Sequence, residues 1–120
     1  MIRRKEQIRV REVPNAQGGE GSVFFHDWLL PEEAKGHGRV FSKIVLPAGS
    51  SIGPHYHTGE FEAFYVLSGR ARVTDGDSTV ELAPGDMHLC RDGALHGVAC
   101  LGDEPLEILA LIMKSLDSSV

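Results

Sequence analysis

The chain has 120 residues, a net charge of −5 and a pI near 5.6, a balance that disfavours nucleic acid or an anionic membrane surface as its main partner. A hydrophobic fraction of 42% suits one globular domain, and no apolar run is long enough to span a bilayer. Two cysteines, Cys90 and Cys100, are too few for a disulfide framework, so a reducing, cytoplasmic setting is the expectation.

The start, Met1-Ile2-Arg3-Arg4-Lys5, is basic but leads into no apolar segment, so no secretory signal is expected. This basic run, continued by Arg9 and Arg11, reads as a solvated edge rather than a binding patch. Ile8-Arg9-Val10-Arg11 alternates with period two, the mark of a half-buried strand. The stretch from Ile8 to Val13, and the apolar stretch from Phe24 to Leu30 around Trp28, are expected to extend a sheet, cover a core or exchange with a second copy. The one helical turn expected lies at Pro31-Glu32-Glu33-Ala34, with proline at its start.

From there the chain reads as strands and turns. Val40 to Leu46 and Phe61 to Leu67 are nearly uniformly apolar and rich in residue types that strands favour. Ala71-Arg72-Val73-Thr74 alternates, and Asp75-Gly76 between Arg70–Thr74 and Ser78–Leu82 predicts a hairpin. Further turn signals stand at Pro47-Ala48-Gly49, Ser68-Gly69, Pro84-Gly85-Asp86, Asp92-Gly93 and Gly102-Asp103. Short strands with regular turns predict an all-β sandwich or small barrel.

The densest chemistry lies between Gly49 and Gly69. His55 and His57 are separated by one residue, so on a strand both imidazoles point the same way. Glu62 follows across a turn at Thr58-Gly59, close enough to reach the same ion, and imidazole with carboxylate suits a first-row divalent metal. His96 adds a third imidazole from a second segment punctuated by glycine and proline.

Counting on from Gly85, five residues precede Arg91, followed by Asp92, Gly93, two residues, His96, three residues and Cys100. The two segments together resemble the paired cupin motifs, G-x5-HxH-x4-E-x6-G and G-x5-PxG-x2-H-x3-N. The first is matched in full by Gly49, His55, His57, Glu62 and Gly69. The second is matched at Gly85, Gly93 and His96, with Arg91 where proline is usual and Cys100 where asparagine is usual.

The chain is thus similar to a small, single-domain, metal-binding cupin over residues 39–113. The resemblance implies an antiparallel jelly-roll β-barrel of six to eight strands, a double-stranded β-helix with its metal near one mouth. It carries the metal ligands onto His55, His57, Glu62 and His96. Residues 1–38 would then add strands or a dimer contact, residues 114–120 would form a tail, and a homodimer is the expected assembly. The cofactor expected is a divalent transition metal, one of Mn, Fe, Ni, Co or Zn.

Other residues carry weaker signals. Glu60 has the parity of Glu62, and the six-residue interval to Gly69 favours Glu62. His88 shares parity with Cys90 and faces either the cavity or the outside. Cys100 is expected inward, as a small buried hydrophobe or a soft group near the site. Arg91 either loosens a turn or sets a cation at the mouth for an anionic ligand. Phe41, Ile44, Ile52, Phe64, Val66, Leu89 and Val98 are expected to line the interior, with Tyr56 pointing away from the metal.

Three functions fit this reading. The first is a metal-dependent enzyme acting on an oxygen-rich small molecule by dioxygenation, decarboxylation or isomerisation, with Glu62 either staying a ligand or dissociating to act as a base. The second is a non-catalytic module that holds a small ligand, carboxylate or sugar-like, over the metal. The third is a closed metal site that serves stability.

Overall fold

The period-two segments resolve into ten strands in the computed structural model, which describes residues 1–116. In chain order they are β1 (Arg9–Pro14), β2 (Ser22–Leu29), β3 (Gly38–Leu46), β4 (Ser51–Tyr56), β5 (Glu60–Ser68), β6 (Ala71–Asp75), β7 (Ser78–Leu82), β8 (Met87–Cys90), β9 (Leu95–Cys100) and β10 (Leu106–Lys114). They form a six-stranded sheet, ordered β1-β2-β3-β10-β5-β8, and a four-stranded sheet, ordered β4-β9-β6-β7. The ladders are antiparallel throughout, giving the expected jelly roll. The two sheets are joined by side-chain packing rather than by a closing ladder. No helix among the described residues is long and apolar enough to cross a membrane.

One core fills the space between the sheets, because alternate side chains of facing strands point into it. Val40, Ile44 and Leu46 of β3, Phe64 and Val66 of β5, and Leu106, Ile108, Ala110 and Ile112 of β10 meet Ala71, Val73 and Val98 from the opposite sheet. Burying each of the larger side chains stabilises the fold by about 1.5–3 kcal/mol.

Two interior expectations are corrected. Phe41 lies on the outer face, its ring centroid 5.2 Å from that of Trp28, and Leu89 is 38% exposed. Their neighbours Val40, Ser42, His88 and Cys90 take the inward positions. Polarity does not mark the inward parity in these strands, because buried Ser42, bound to Asp27, and buried His88 occupy inward positions while Phe41 and Leu89 face out. Ile44, Phe64, Val66 and Val98 are buried and Ile52 packs against them, as expected, while Tyr56 is 68% exposed.

The β6–β7 hairpin forms, with Asp75 opposite Ser78 across a two-residue loop that Gly76 enters at φ +63°. The turn at Pro31–Ala34 is a short 3-10 helix. Two further 3-10 turns form, Lys5–Gln7, which had no signal in the sequence, and Ala16–Gly18, beside the turn signal Gly18-Gly19. Gly69 allows the chain to leave β5 at φ +80°, and a Cβ there would collide with the Pro105 carbonyl.

The N-terminal strands extend the six-stranded sheet within the chain, β1 on β2 and β2 on β3. Buried Asp27 ties them together, accepting hydrogen bonds from Arg9 (2.8 Å), Arg11 (2.6 and 3.1 Å) and Ser42 (2.7 Å). Burial raises the Asp27 pKa, but the hydrogen bonds from Arg11, Ser42 and Arg9 outweigh it and hold the carboxyl below its ordinary value. Arg9 and Arg11, expected as a merely solvated edge, are therefore partners of a buried charge.

Candidate metal centre

The four residues singled out by spacing come together where the two sheets meet. His55 on β4 is the cross-strand partner of His96 on β9, and Glu62 reaches over from β5 of the other sheet. His57 follows the end of β4, where the Asp92–Ala94 turn pins its backbone. Its N–H donates to the Ala94 carbonyl (3.2 Å) and its carbonyl accepts from Gly93 (2.6 Å). Asp92 also accepts from the Gly59 N–H (2.9 Å), so the loop joining β4 to β5 is fixed at both ends.

The nitrogens converge. His57 Nε2 lies 3.2 Å from His55 Nε2, 3.1 Å from His96 Nε2 and 3.0 Å from Glu62 Oε1, and His96 Nε2 lies 2.9 Å from the same oxygen. His57, Glu62 and His96 are buried, and His55 is partly so.

Partners on the far side of two rings fix their tautomers. His55 Nδ1 donates to the Gly53 carbonyl (2.7 Å), and His57 Nδ1 donates to Glu60 Oε2 (2.5 Å). In the neutral form, both rings thus turn an unprotonated Nε2 inward, toward each other and toward a carboxylate. A single proton would satisfy one of these contacts at a time; a divalent cation would satisfy all of them at once. The donor set thus fits a metal ion, with His55, His57, Glu62 and His96 as the groups that could hold it.

The electrostatics show the same atoms competing for protons when no ion is bound. Burial favours the neutral form of His55 and lowers its pKa. For His57, the hydrogen bond to Glu62, which needs a proton on Nε2, raises the pKa against the opposing effect of burial, so an ion displaces that proton on binding. Burial pushes the Glu62 carboxyl up, yet hydrogen bonds from His57 and His96, made when their Nε2 atoms carry protons, hold it at about 2, so it stays a carboxylate.

Glu60, weighed in the sequence only against Glu62, and two arginines also contribute. Glu60 sits on the outer nitrogen of His57 and is gripped by Arg39 through two hydrogen bonds of 2.9 and 2.8 Å. A cavity of about 200 Å³ borders the centre, walled by His55, His57 and Glu62, by apolar side chains including Val40, Ile44 and Ile112, and by Arg11 and Arg39. Arg91 lies outside it, exposed beside Phe61 and Leu89, and its carbonyl closes the turn to Ala94 (3.0 Å). Neither Arg11 nor Arg39 belongs to the spaced motif, and their pairing partners lie 16 and 21 residues away.

Cys100 does not reach the centre. It keeps the inward parity expected of it but packs on the core four residues beyond His96, about 13 Å along the strand, with its thiol donating to the Glu104 carbonyl. The sulfur near the centre is that of Cys90. Burial, Glu62 and Asp75 push its thiol up to about 11, so it remains protonated.

A family model described as a cupin domain matches residues 42–112. The chain belongs to the cupin family. It is 34% identical over 113 residues to the oxalate-binding protein of Thermotoga maritima, covering 94% of this chain and 93% of that one. The crystal structure of a predicted oxalate decarboxylase from Thermotoga maritima superposes with a TM-score of 0.90 at 34% identity, over 96% of this cupin and all (100%) of that chain. An RmlC-like cupin from Shewanella frigidimarina shares the fold at 16% identity, with a TM-score of 0.69 over 97% of this chain and 92% of its own.

Proposed function

We propose that this cupin binds a short dicarboxylate of the oxalate type through a divalent metal held by His55, His57, Glu62 and His96. One observation carries the reading: three imidazole Nε2 atoms and a carboxylate converge at the wall of a cavity of about 200 Å³. A first-row ion bound by such ligands supplies open positions that two adjacent carboxylate oxygens can chelate, and Mn, Fe, Co, Ni and Zn all suit the donor set. The oxalate-binding protein of Thermotoga maritima, similar along 93% of its length, supports the same ligand class. The cavity is smaller than those that enclose drug-sized ligands, which favours a molecule of a few heavy atoms over a sugar derivative.

Binding is favoured over turnover by what else lines the cavity. Beyond the candidate ligands, its ionisable groups are the guanidiniums of Arg11 and Arg39, which attract an anion but exchange no proton near neutral pH. Decarboxylation and isomerisation need a proton delivered or removed, and among the described residues no acid or base other than the candidate ligands lines the cavity to do it. A closed structural site is disfavoured because the cavity adjoins three of the four candidate ligands directly.

Calorimetric titration of oxalate into Mn²⁺-loaded and chelator-stripped protein tests the reading. Saturable binding is expected for the loaded form alone. Equal binding by both forms, or none by the loaded form, would sink it, and release of formate and CO₂ would mark turnover instead.

A further inference from the structure

Two of the three converging histidines have a visible partner for the nitrogen turned away from the centre. His96 does not: its Nδ1 is buried and unpaired. A second buried, unpaired nitrogen, Nε2 of His88, belongs to the adjoining ring. The two rings lie 5.3 Å apart between centroids with 20° between their planes. Phe64 covers both rings, its centroid 4.9 Å from that of His88 and 5.8 Å from that of His96.

The two unmet nitrogens have complementary needs. For His96 to present an unprotonated Nε2 to His57 and Glu62, its proton must sit on Nδ1, and a buried N–H left without an acceptor is costly. His88 offers an acceptor at Nε2 when its own proton sits on Nδ1. The unmet atoms belong to neighbouring rings with centroids 5.3 Å apart, and one water with a polar group on each side spans a separation of that order.

We propose that His88 is a positioning residue that accepts the His96 Nδ1–H through one buried water and so fixes the tautomer and orientation in which His96 Nε2 faces the metal. This gives His96 what Gly53 gives His55 and Glu60 gives His57. The inference rests on reading the four-residue cluster as a metal centre.

Long-range ¹H–¹⁵N NMR of the metal-free protein tests it without any substitution. His96 is expected as the Nδ1–H tautomer, and His88 with an unprotonated Nε2. His88→Leu should mix the His96 tautomers and weaken Zn²⁺ binding about 10- to 100-fold, while His88→Gln, whose amide oxygen can accept, should restore both. A wild-type His88 with its proton on Nε2 would overturn the proposal, as would a His88→Leu protein with unchanged tautomer and affinity. So would a second equivalent of Zn²⁺ that Cys90→Ser abolishes, because the cluster of His88, Cys90 and His96 would then hold an ion of its own. Failure of the metal-centre reading shows separately, as a wild-type protein that binds no stoichiometric metal whatever tautomer His96 adopts.

Discussion

Glu60 and His57 are joined by a 2.5 Å hydrogen bond on the side of the imidazole that faces away from the converging nitrogens, and Arg39 holds both oxygens of the same carboxylate. The hydrogen bond from Arg39 is the main reason the Glu60 pKa lies below its ordinary value. Glu60 and Glu62 thus have different places around one ring, Glu60 at Nδ1 and Glu62 at Nε2. Glu60→Ala should lower metal affinity about 10- to 100-fold by releasing the ring, without abolishing binding. Glu62→Ala, which removes an inward-facing carboxylate, should cost more. Competition against a chelator of known affinity checks both; equal losses would reject the distinction.

His57 Nε2 touches each of the other three inward-facing groups, so its removal should be the most damaging single change to metal binding. His57→Ala should lower affinity about 100-fold or more while leaving both sheets intact. Elemental analysis after dialysis and circular dichroism read the two outcomes. An ion that binds only the folded chain adds about 2.7 kcal/mol of stability at a hundred-fold excess over Kd. The wild type should therefore show a metal-dependent rise in Tm that His57→Ala lacks. A substituted protein that still held one tight metal per chain would show that the cluster is misread.

Asp27 makes the acid stability of the fold predictable. Its folded pKa lies below its unfolded value, so its contribution is fully present above the unfolded pKa, near 3.9, and is lost as pH falls through the folded pKa. Asp27→Asn should flatten the stability-versus-pH curve in that acid range. At neutral pH it should cost about 2 kcal/mol, because charge-assisted hydrogen bonds from Arg9, Arg11 and Ser42 are weakened. Urea unfolding across the acid range measures both. Parallel curves for the two proteins would remove Asp27 as the cause.

The centre was legible because its residues lie at short, regular intervals on strands. Period two puts His55 and His57 on one side, and the same alternation ties His96 to Val98 facing the core. Identity of face was readable, but distance along a strand was not weighed. Cys100 shares the parity of His96 and still ends up on the far side of the core, while the shorter β8 brings His88 and Cys90 to the centre. Arg39 and Arg11 were missed for a different reason. Their roles arise from pairings between strands far apart in the chain, which neither spacing nor parity encodes. Glu60 was weighed only as a rival ligand to Glu62, because spacing does not tell which nitrogen of His57 a nearby carboxylate meets. Phe41 and Leu89 were misplaced because polar Ser42 and His88 take the buried positions beside them, which hides the parity of the strand.

The cavity also sets what should distinguish one anion from another. Arg11 and Arg39 line it, but their guanidiniums are already engaged, Arg39 by both oxygens of Glu60 and Arg11 by the Asp27 carboxylate it shares with Arg9, so their pull on an anion is weakened. Affinity should then come from chelation, which needs two carboxylates on adjacent carbons, more than from ion pairing with the walls. Metal-loaded protein should therefore bind oxalate more than about ten-fold tighter than acetate, a difference of about 1.4 kcal/mol. Arg39→Gln should lower oxalate affinity by less than that, and mainly through the loosened Glu60–His57 contact. Calorimetry with both anions on both proteins decides the point. Acetate binding as tightly as oxalate, with both lost in Arg39→Gln, would mean that the guanidinium and not the metal holds the ligand.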